Sequence, residues 1–308
     1  MSLPFDIKVG GRFVRIARLR NEYYEFLPSP EATIKEELKK VRADLFSFLP
    51  QFHKIEPDRS FYSEPDPIAI IPLTTYEHWW KHQISDKTRN MARKAGKKGV
   101  TVSVVPFTDD FVKGIMGINN ESPVRQGRPY WHYQEDFETV KKENITFLEQ
   151  CRFIGAYLDS ELIGYIKLVL GDQKASIMQI LSKIGHRDKA PNNALMAKVV
   201  EICCELKIPR LHYASWSRRG LGEFKISHGF QKVDLPRYYI PLSLRGALAL
   251  KFRLHRNPMA YIPPKWVDQY ADLRAKWYDF KYGNARNSSA EAGVKQTALN
   301  PALVNREQ

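Results

Sequence analysis

Between Val100 and Leu242 the hydrophobic pattern switches repeatedly between a period of two and a period of about 3.6, and few folds accept the resulting order. Residues 100–105 alternate as a strand, and 109–118 and 137–148 carry helical stripes. Strands follow at 153–158 and 162–170, joined by Asp159, Ser160 and Glu161, and another at 175–184. A polar loop over 185–191 leads into an amphipathic helix over 194–206, with Leu195, Met196, Val199, Val200 and Cys203 on one face and Lys198, Glu201 and Glu205 opposite. A strand at 211–214, a short helix at 221–227 and a strand region at 230–242 complete the run. The order β-α-α-β-β-β-α-β-α-β predicts an α/β domain whose mixed central sheet is flanked by helices.

The flanking segments read differently. Phe5, Ile7 and Val9 alternate up to Gly10 and Gly11, and 13–16 returns, which predicts a hairpin with a glycine turn. Ser29, Pro30 and Glu31 form a helix start, and Ile34, Leu38, Val41, Leu45 and Phe48 recur at helical steps up to Pro50. A short strand is expected over 68–71, bounded by Pro67 and Pro72. Residues 85–99 predict a basic helix, capped by Ser85 or Asp86 and closed by Gly99. Its Arg89, Arg93 and Lys97 share one arc, whereas Thr88, Met91, Ala92 and Ala95 make an apolar half. The expected organisation is an N-terminal accessory α+β subdomain (1–84), the α/β domain with its leading basic helix (85–245), a basic helical C-terminal extension (246–283) and an irregular tail (284–308).

Charge limits the partners. The chain of 308 residues carries a formal net charge of +14, which favours an anionic partner: nucleic acid, a phosphorylated cofactor or an anionic membrane face. Three cysteines, two of them adjacent, make no disulfide framework, and no apolar run reaches membrane-spanning length, so a cytoplasmic protein is expected, with peripheral contact at the inner membrane face as an option. No set of residues indicates a metal; His78 and His82 lie four apart without a nearby third ligand.

The strand, polar loop and helix over 177–206 have the form of an anion-binding unit, because the N–H groups of a helix start and its dipole hold phosphate oxygens. Gln179 lies on the strand, and Tyr213 lies at the end of the next one. Strand alternation puts His212 on the opposite sheet face from Tyr213.

The element order resembles that of the GNAT acyltransferases, and three stretches resemble their Fem-type (FemABX) branch. These are the basic helix from Lys87 to Ala95 running into Lys97-Lys98-Gly99-Val100, the turn within Gly155-Ala156-Tyr157-Leu158-Asp159-Ser160-Glu161-Leu162-Ile163-Gly164, and Glu223-Phe224-Lys225-Ile226-Ser227-His228-Gly229-Phe230. The resemblance covers about residues 65–245 and implies acyl transfer to an amine, with acyl-CoA or acetyl-CoA as co-substrate. Its pyrophosphate site maps to His186, Arg187, Lys189, Asn192, Asn193, Ala194 and Leu195, although Asn192 stands where the family places a glycine. Fem-type relatives often lack that loop and use aminoacyl-tRNA instead, which is the alternative donor. Lys225 matches a lysine that stabilises developing negative charge, and for the implied acyl transfer Gln179 is a candidate to polarise the carbonyl and Tyr213 a candidate proton donor to the leaving group. Arg125, Arg128, Tyr130 and Trp131 fall where GNAT relatives shape the acceptor pocket. Arg89, Arg93 and Lys97 suit tRNA phosphates or an anionic membrane, and equally a solvated helix face. A third reading is a GNAT-like module without catalysis that binds nucleic acid or membrane through these basic faces.

Overall fold

Strand pairing begins at the glycine turn. In a computed structural model, which describes residues 6–24, 38, 41–50, 58, 60–257 and 261–298, strand β1 (Ile7–Gly10) pairs antiparallel with β2 (Ile16–Leu19), Gly10 opposite Ile16. The connection is longer than the two-residue turn expected, and Gly11 takes a positive φ of 99° within it.

The helix expected to run to Phe48 ends otherwise. Leu45–Phe48 is strand β3, with all four residues buried; the expected start, 29–37, lies outside the described residues. β4 (Tyr62–Pro72) is also far longer than the stretch 68–71 and runs through Pro65 and Pro67. The reason lies in its neighbours. Pro67 accepts a hydrogen bond from the Trp216 amide (2.7 Å), so its backbone points toward β11 (Arg210–Ser215), and Pro65, two residues away, points the same way. β11 meets β4 only from Ile68 to Pro72, so neither proline nitrogen faces a strand that would need its missing hydrogen.

The remaining strands are β5 (Thr101–Val105), β6 (Val124–Arg125), β7 (Arg128–Pro129), β8 (Cys151–Leu158), β9 (Glu161–Val169), β10 (Ala175–Ser182) and β12 (Gln231–Pro241). Among the described residues, ten of the twelve strands form one mixed sheet in the order β1-β2-β3-β12-β4-β11-β10-β9-β8-β5. Asp159 and Ser160 both have positive φ (48° and 67°), the geometry of a primed hairpin turn, and so join β8 to β9 as the sequence indicated.

Helices cover both faces. Helix α1 (Asp86–Lys97) is capped by Ser85, whose Oγ accepts from the Thr88 amide, and it packs beside α4 (Pro191–Glu205). Ile154, Ile166, Ile177, Leu195, Val199 and Cys203 make the core on that side. Burial pushes the Cys203 thiol up to about 12, which fits a packing residue. On the other face, helix α2 (Asp109–Asn119) and helix α3 (Phe137–Asn144) cover Phe153 and Tyr165. Adjacent residues of β8 and β9 thus feed opposite cores, as the pleat requires. Short helices α5 (Arg219–Ser227) and α6 (Leu244–Lys251) flank β12 in sequence.

The chain divides into two compact units, Met1–Ile118 with Phe137–Arg256, and Asn119–Asp136 with Asn257–Gln308. The first holds the sheet, so β4 of the expected accessory segment lies inside it, between β12 and β11. The second holds the β6–β7 hairpin and the long helix α7 (Pro264–Ala298), whose assignment runs into the stretch expected to be irregular from Asn284; 299–308 lie outside the described residues. Gly127 of the hairpin, at φ 66°, lies against α7 so closely that a Cβ there would come within 2.6 Å of Ala275.

Candidate active site

β10 and β11 run parallel, but they are matched at only two positions, Ala175 with Leu211 and Ser176 with His212. Beyond them the strands part. β11 stays with β4 as far as Ser215 opposite Ile68, through an irregularity at which Ala214 takes a φ of 50°. Because the Trp216 amide bonds to Pro67 O (2.7 Å), Ser215 and Ile68 are a non-hydrogen-bonded pair, and the Ser215 carbonyl points away from β4 into the gap that β10 has left.

A lysine fills that vacancy. Lys225 Nζ donates to Ser215 O (2.7 Å) and to Ser217 Oγ (3.1 Å), and it sits 4.6 Å from the centre of the Tyr213 ring. The helix carrying it must come close to the strand end, and Gly222 permits this: a Cβ there would lie 2.4 Å from Ser217 O. Lys225 is only 1% exposed, and burial pushes its ammonium down to about 8. The same burial pushes the Tyr213 phenol up to about 12, so it keeps its proton at neutral pH.

The opposite face of β11 is polar as well. His212 Nδ1 lies 3.2 Å from Ser176 Oγ, the Tyr23 ring lies against the imidazole, and burial holds His212 well below the usual histidine range. The expected division of His212 and Tyr213 between the two faces is therefore present. Lys174 donates to Tyr23 O, and burial pushes it down to about 7. Tyr23 and Ser215 share a hydrogen bond between their hydroxyls (2.6 Å). Ser215 also borders a cavity of about 260 Å³, lined with Arg18, Glu22, Tyr23, Asp66 and Arg237 among others. Arg237 donates to Glu22 through both terminal nitrogens (2.7 and 2.9 Å) and to Asp66 through Nε (2.8 Å). One guanidinium thus bridges two carboxylates, and Arg18 adds a second cation to the same lining.

The loop expected to cradle a diphosphate is built differently. Residues Ile184–Lys189 form a 3₁₀ helix rather than an irregular loop, and α4 starts at Pro191, earlier than expected. Of the first three helical positions, Pro191 has no N–H, and Asn193 gives its own to Ala190 O (3.1 Å). At most one of the three can then offer an N–H to a ligand. The Ala194 amide also bonds to Ala190 O (3.4 Å). The Asn193 side chain meets His228 Nε2 (3.2 Å), whose Nδ1 faces Phe224 O (2.7 Å); burial pushes His228 down to about 4, so the imidazole is neutral. Leu195 is fully buried in the core. His186 pairs with Glu161 (3.5 Å) and Lys189 with Asp188 (3.3 Å), while Arg187 is exposed and Asn192 Oδ1 is buried without a hydrogen-bond partner. The physical reason is the proline, which removes a donor from the helix start, together with a histidine 35 residues away in sequence that claims Asn193.

Of the other expected residues, Tyr213 and Lys225 come together. Gln179 lies on the stretch of β10 beyond its pairing with β11, opposite Lys167 of β9. Arg125, Arg128, Tyr130 and Trp131 belong to the second unit. There Arg125 reaches Glu121 (3.4 Å) and lies over the Tyr130 ring (5.1 Å), Tyr130 donates to Asn119 (3.0 Å), and Arg128 and Trp131 are exposed. In the basic helix, Arg89 is engaged internally: Nη1 donates to Trp80 O (2.6 Å), Ile84 O (2.7 Å) and Lys81 O (3.2 Å), and Nη2 pairs with Asp86. Arg93 lies over the Trp80 ring (5.5 Å), and Lys97 is exposed. Sequence reasoning missed Tyr23, Lys174, Ser215, Ser217 and Arg237, and no local spacing marks them.

No protein-family model and no curated protein matches this sequence. Solved structures do. FemX is similar at a TM-score of 0.55 and 11% identity, over 79% of this chain and 84% of FemX. The C-terminal DUF2156 domain named for lysylphosphatidylglycerol synthetase, from Agrobacterium fabrum, is similar at 0.52 and 16% identity, over 80% of this chain and 83% of that one. L-PGS from Bacillus licheniformis is similar at 0.50 and 12% identity, over 80% and 85%. The fold is GNAT-like, with Fem-type structural relatives.

Proposed function

We propose that this chain is an acyltransferase that moves an aminoacyl group from the 3′ end of a charged tRNA to an amine acceptor. The observation that carries the reading is the Lys225 ammonium, buried in the gap between β10 and β11 beside Tyr213. When an amine attacks an ester carbonyl, negative charge develops on the carbonyl oxygen, and a desolvated cation fixed by two hydrogen bonds stabilises it without reorganising. Tyr213, protonated at neutral pH, is the candidate proton donor to the departing ribose hydroxyl. Gln179 is the candidate to polarise the same carbonyl from β10.

Two things favour the aminoacyl donor over acyl-CoA. The start of α4 has few N–H groups left for a diphosphate. The structures similar at a TM-score of 0.50 or above include FemX and a domain named for lysylphosphatidylglycerol synthetase. Exposed Lys97 and its neighbour Lys98 then suit contact with tRNA phosphates.

The test supplies the protein with bulk tRNA charged with radiolabelled amino acids, or with acetyl-CoA, in the presence of lysine as a model amine. Transfer of label to lysine, absent in Lys225→Met, is expected, with no rise in melting temperature on adding acetyl-CoA. A dose-dependent rise with acetyl-CoA and acetylation of the amine would overturn the choice of donor. No transfer from either donor would overturn the enzymatic reading.

A further inference from the structure

Helix α7 belongs to the second unit and presents two unlike faces. With Trp266 taken as zero and about 100° of turn per residue, Ala275 falls at about 180°. That is the side against Gly127 of the hairpin, and Arg274 Nε reaches Gly127 O (3.3 Å) from the edge of that side. On the far side, Phe280, Leu273, Trp277 and Tyr270 all fall within about 40° of Trp266. These five large side chains are between 53% and 73% exposed. They recur at steps of four, three, four and three, so they form one continuous strip.

The charges around the strip are ordered. Lys265 and Lys276 fall at about −100° and −80°, and Lys281 and Arg274 at about +60° and +80°, so cations line both margins. Asp268 and Asp272 fall at about 200° and 240°, away from the strip. Lys281 lies over the Trp277 ring (5.1 Å) and Arg274 over the Tyr270 ring (5.9 Å), so these stems run along the aromatic edge.

We infer that this face of α7 lies on the surface of an anionic lipid bilayer. A strip rich in tryptophan, tyrosine and phenylalanine, with cations on both margins and acids turned away, matches the layered polarity of a lipid surface: acyl chains beneath the strip and headgroup phosphates beside the cations. Charge disfavours a second copy of the helix as occupant. The strip has the spacing of a coiled-coil seam, but Arg274, Lys276 and Lys281 would flank it on each partner and repel. Single-stranded RNA would stack on the rings and pair with the cations, but it offers nothing to cover Leu273 at the centre of the strip. The inference does not depend on the proposed reaction, since it uses no residue of the gap between β10 and β11.

The experiment is co-sedimentation of the full chain with vesicles of phosphatidylcholine alone and with vesicles of equal parts phosphatidylcholine and phosphatidylglycerol. The protein is expected to pellet with the mixed vesicles and to stay in solution with the neutral ones. The double variant Trp266→Ser, Trp277→Ser should partition at least about tenfold less, and a variant with Lys265, Lys276 and Lys281 changed to Gln should lose binding as salt is raised well before the wild type does. All these side chains are exposed, so melting temperature and far-ultraviolet dichroism should not change. No pelleting with mixed vesicles, or equal pelleting of the tryptophan variant, overturns the inference. So does a tryptophan variant that loses poly(U) binding, or a dimer seen by sedimentation, while its vesicle binding matches the wild type.

Discussion

Replacing Lys225 by methionine separates the cost of a buried charge from its use. An ammonium held at about 8, against an ordinary 10.5, carries roughly 3 kcal/mol of unfavourable burial while it stays charged. Methionine keeps the stem in place and removes that cost, but Ser215 O and Ser217 Oγ lose their donor, which costs about 1–2 kcal/mol. At pH 7 the variant should therefore be more stable than the wild type by about 1–2 kcal/mol. The sign reverses in alkali. The folded pKa lies below the unfolded one, so between about pH 8 and 10.5 the unfolded chain binds more protons, and wild-type stability rises relative to the variant by roughly 3 kcal/mol. The two stabilities should cross in that window. Urea unfolding of both proteins from pH 7 to 10.5 reads this directly. Transfer should fall about 10²–10³-fold in the variant, and a wild-type rate limb descending near pH 8, where the cation is lost, should vanish with it. A stability difference constant across the window, or transfer within about threefold of wild type, would refute the assignment of a buried, working ammonium.

Other substitutions test the surroundings. Arg237→Met leaves Glu22 and Asp66 as half-buried carboxylates without their bridging cation, so denaturant unfolding at pH 7 should report a loss of about 1–3 kcal/mol. Arg89→Ala should cost about 1.5–3 kcal/mol, because its guanidinium holds three carbonyls before α1, yet leave tRNA affinity almost unchanged in a filter-binding assay. The double change Lys97→Ala, Lys98→Ala should do the reverse: little change in stability and a shallower dependence of tRNA binding on salt.

The reach of sequence reasoning follows from what local patterns record. Amphipathic helices such as α4 and the turn at Asp159-Ser160 were legible because their determinants lie within a few residues. Leu45–Phe48 misled because β3 is buried on both faces, so it shows no alternation, and the spacing of Leu38, Val41, Leu45 and Phe48 imitates a helix. Lys225 is singled out by a resemblance, but its acceptor, the Ser215 carbonyl, is created by the register of β4 against β11 and has no sequence signature. In sequence Asn193 fits a ligand cradle, because nothing nearby announces His228 as the partner of its side chain. Arg89 looked like a free cation for the same reason: the carbonyls it binds belong to backbone, which a sequence pattern does not display.

The two prolines inside β4 bear on how its edge past the end of β11 stays unpaired. A half-open sheet invites any extended segment, from its own chain or a stranger, to zip alongside and seal it. Pro65 offers such a visitor no N–H on that edge, and at Pro67 the carbonyl is already taken by the Trp216 amide. That edge is thus guarded by covalent structure, before any side chain is considered.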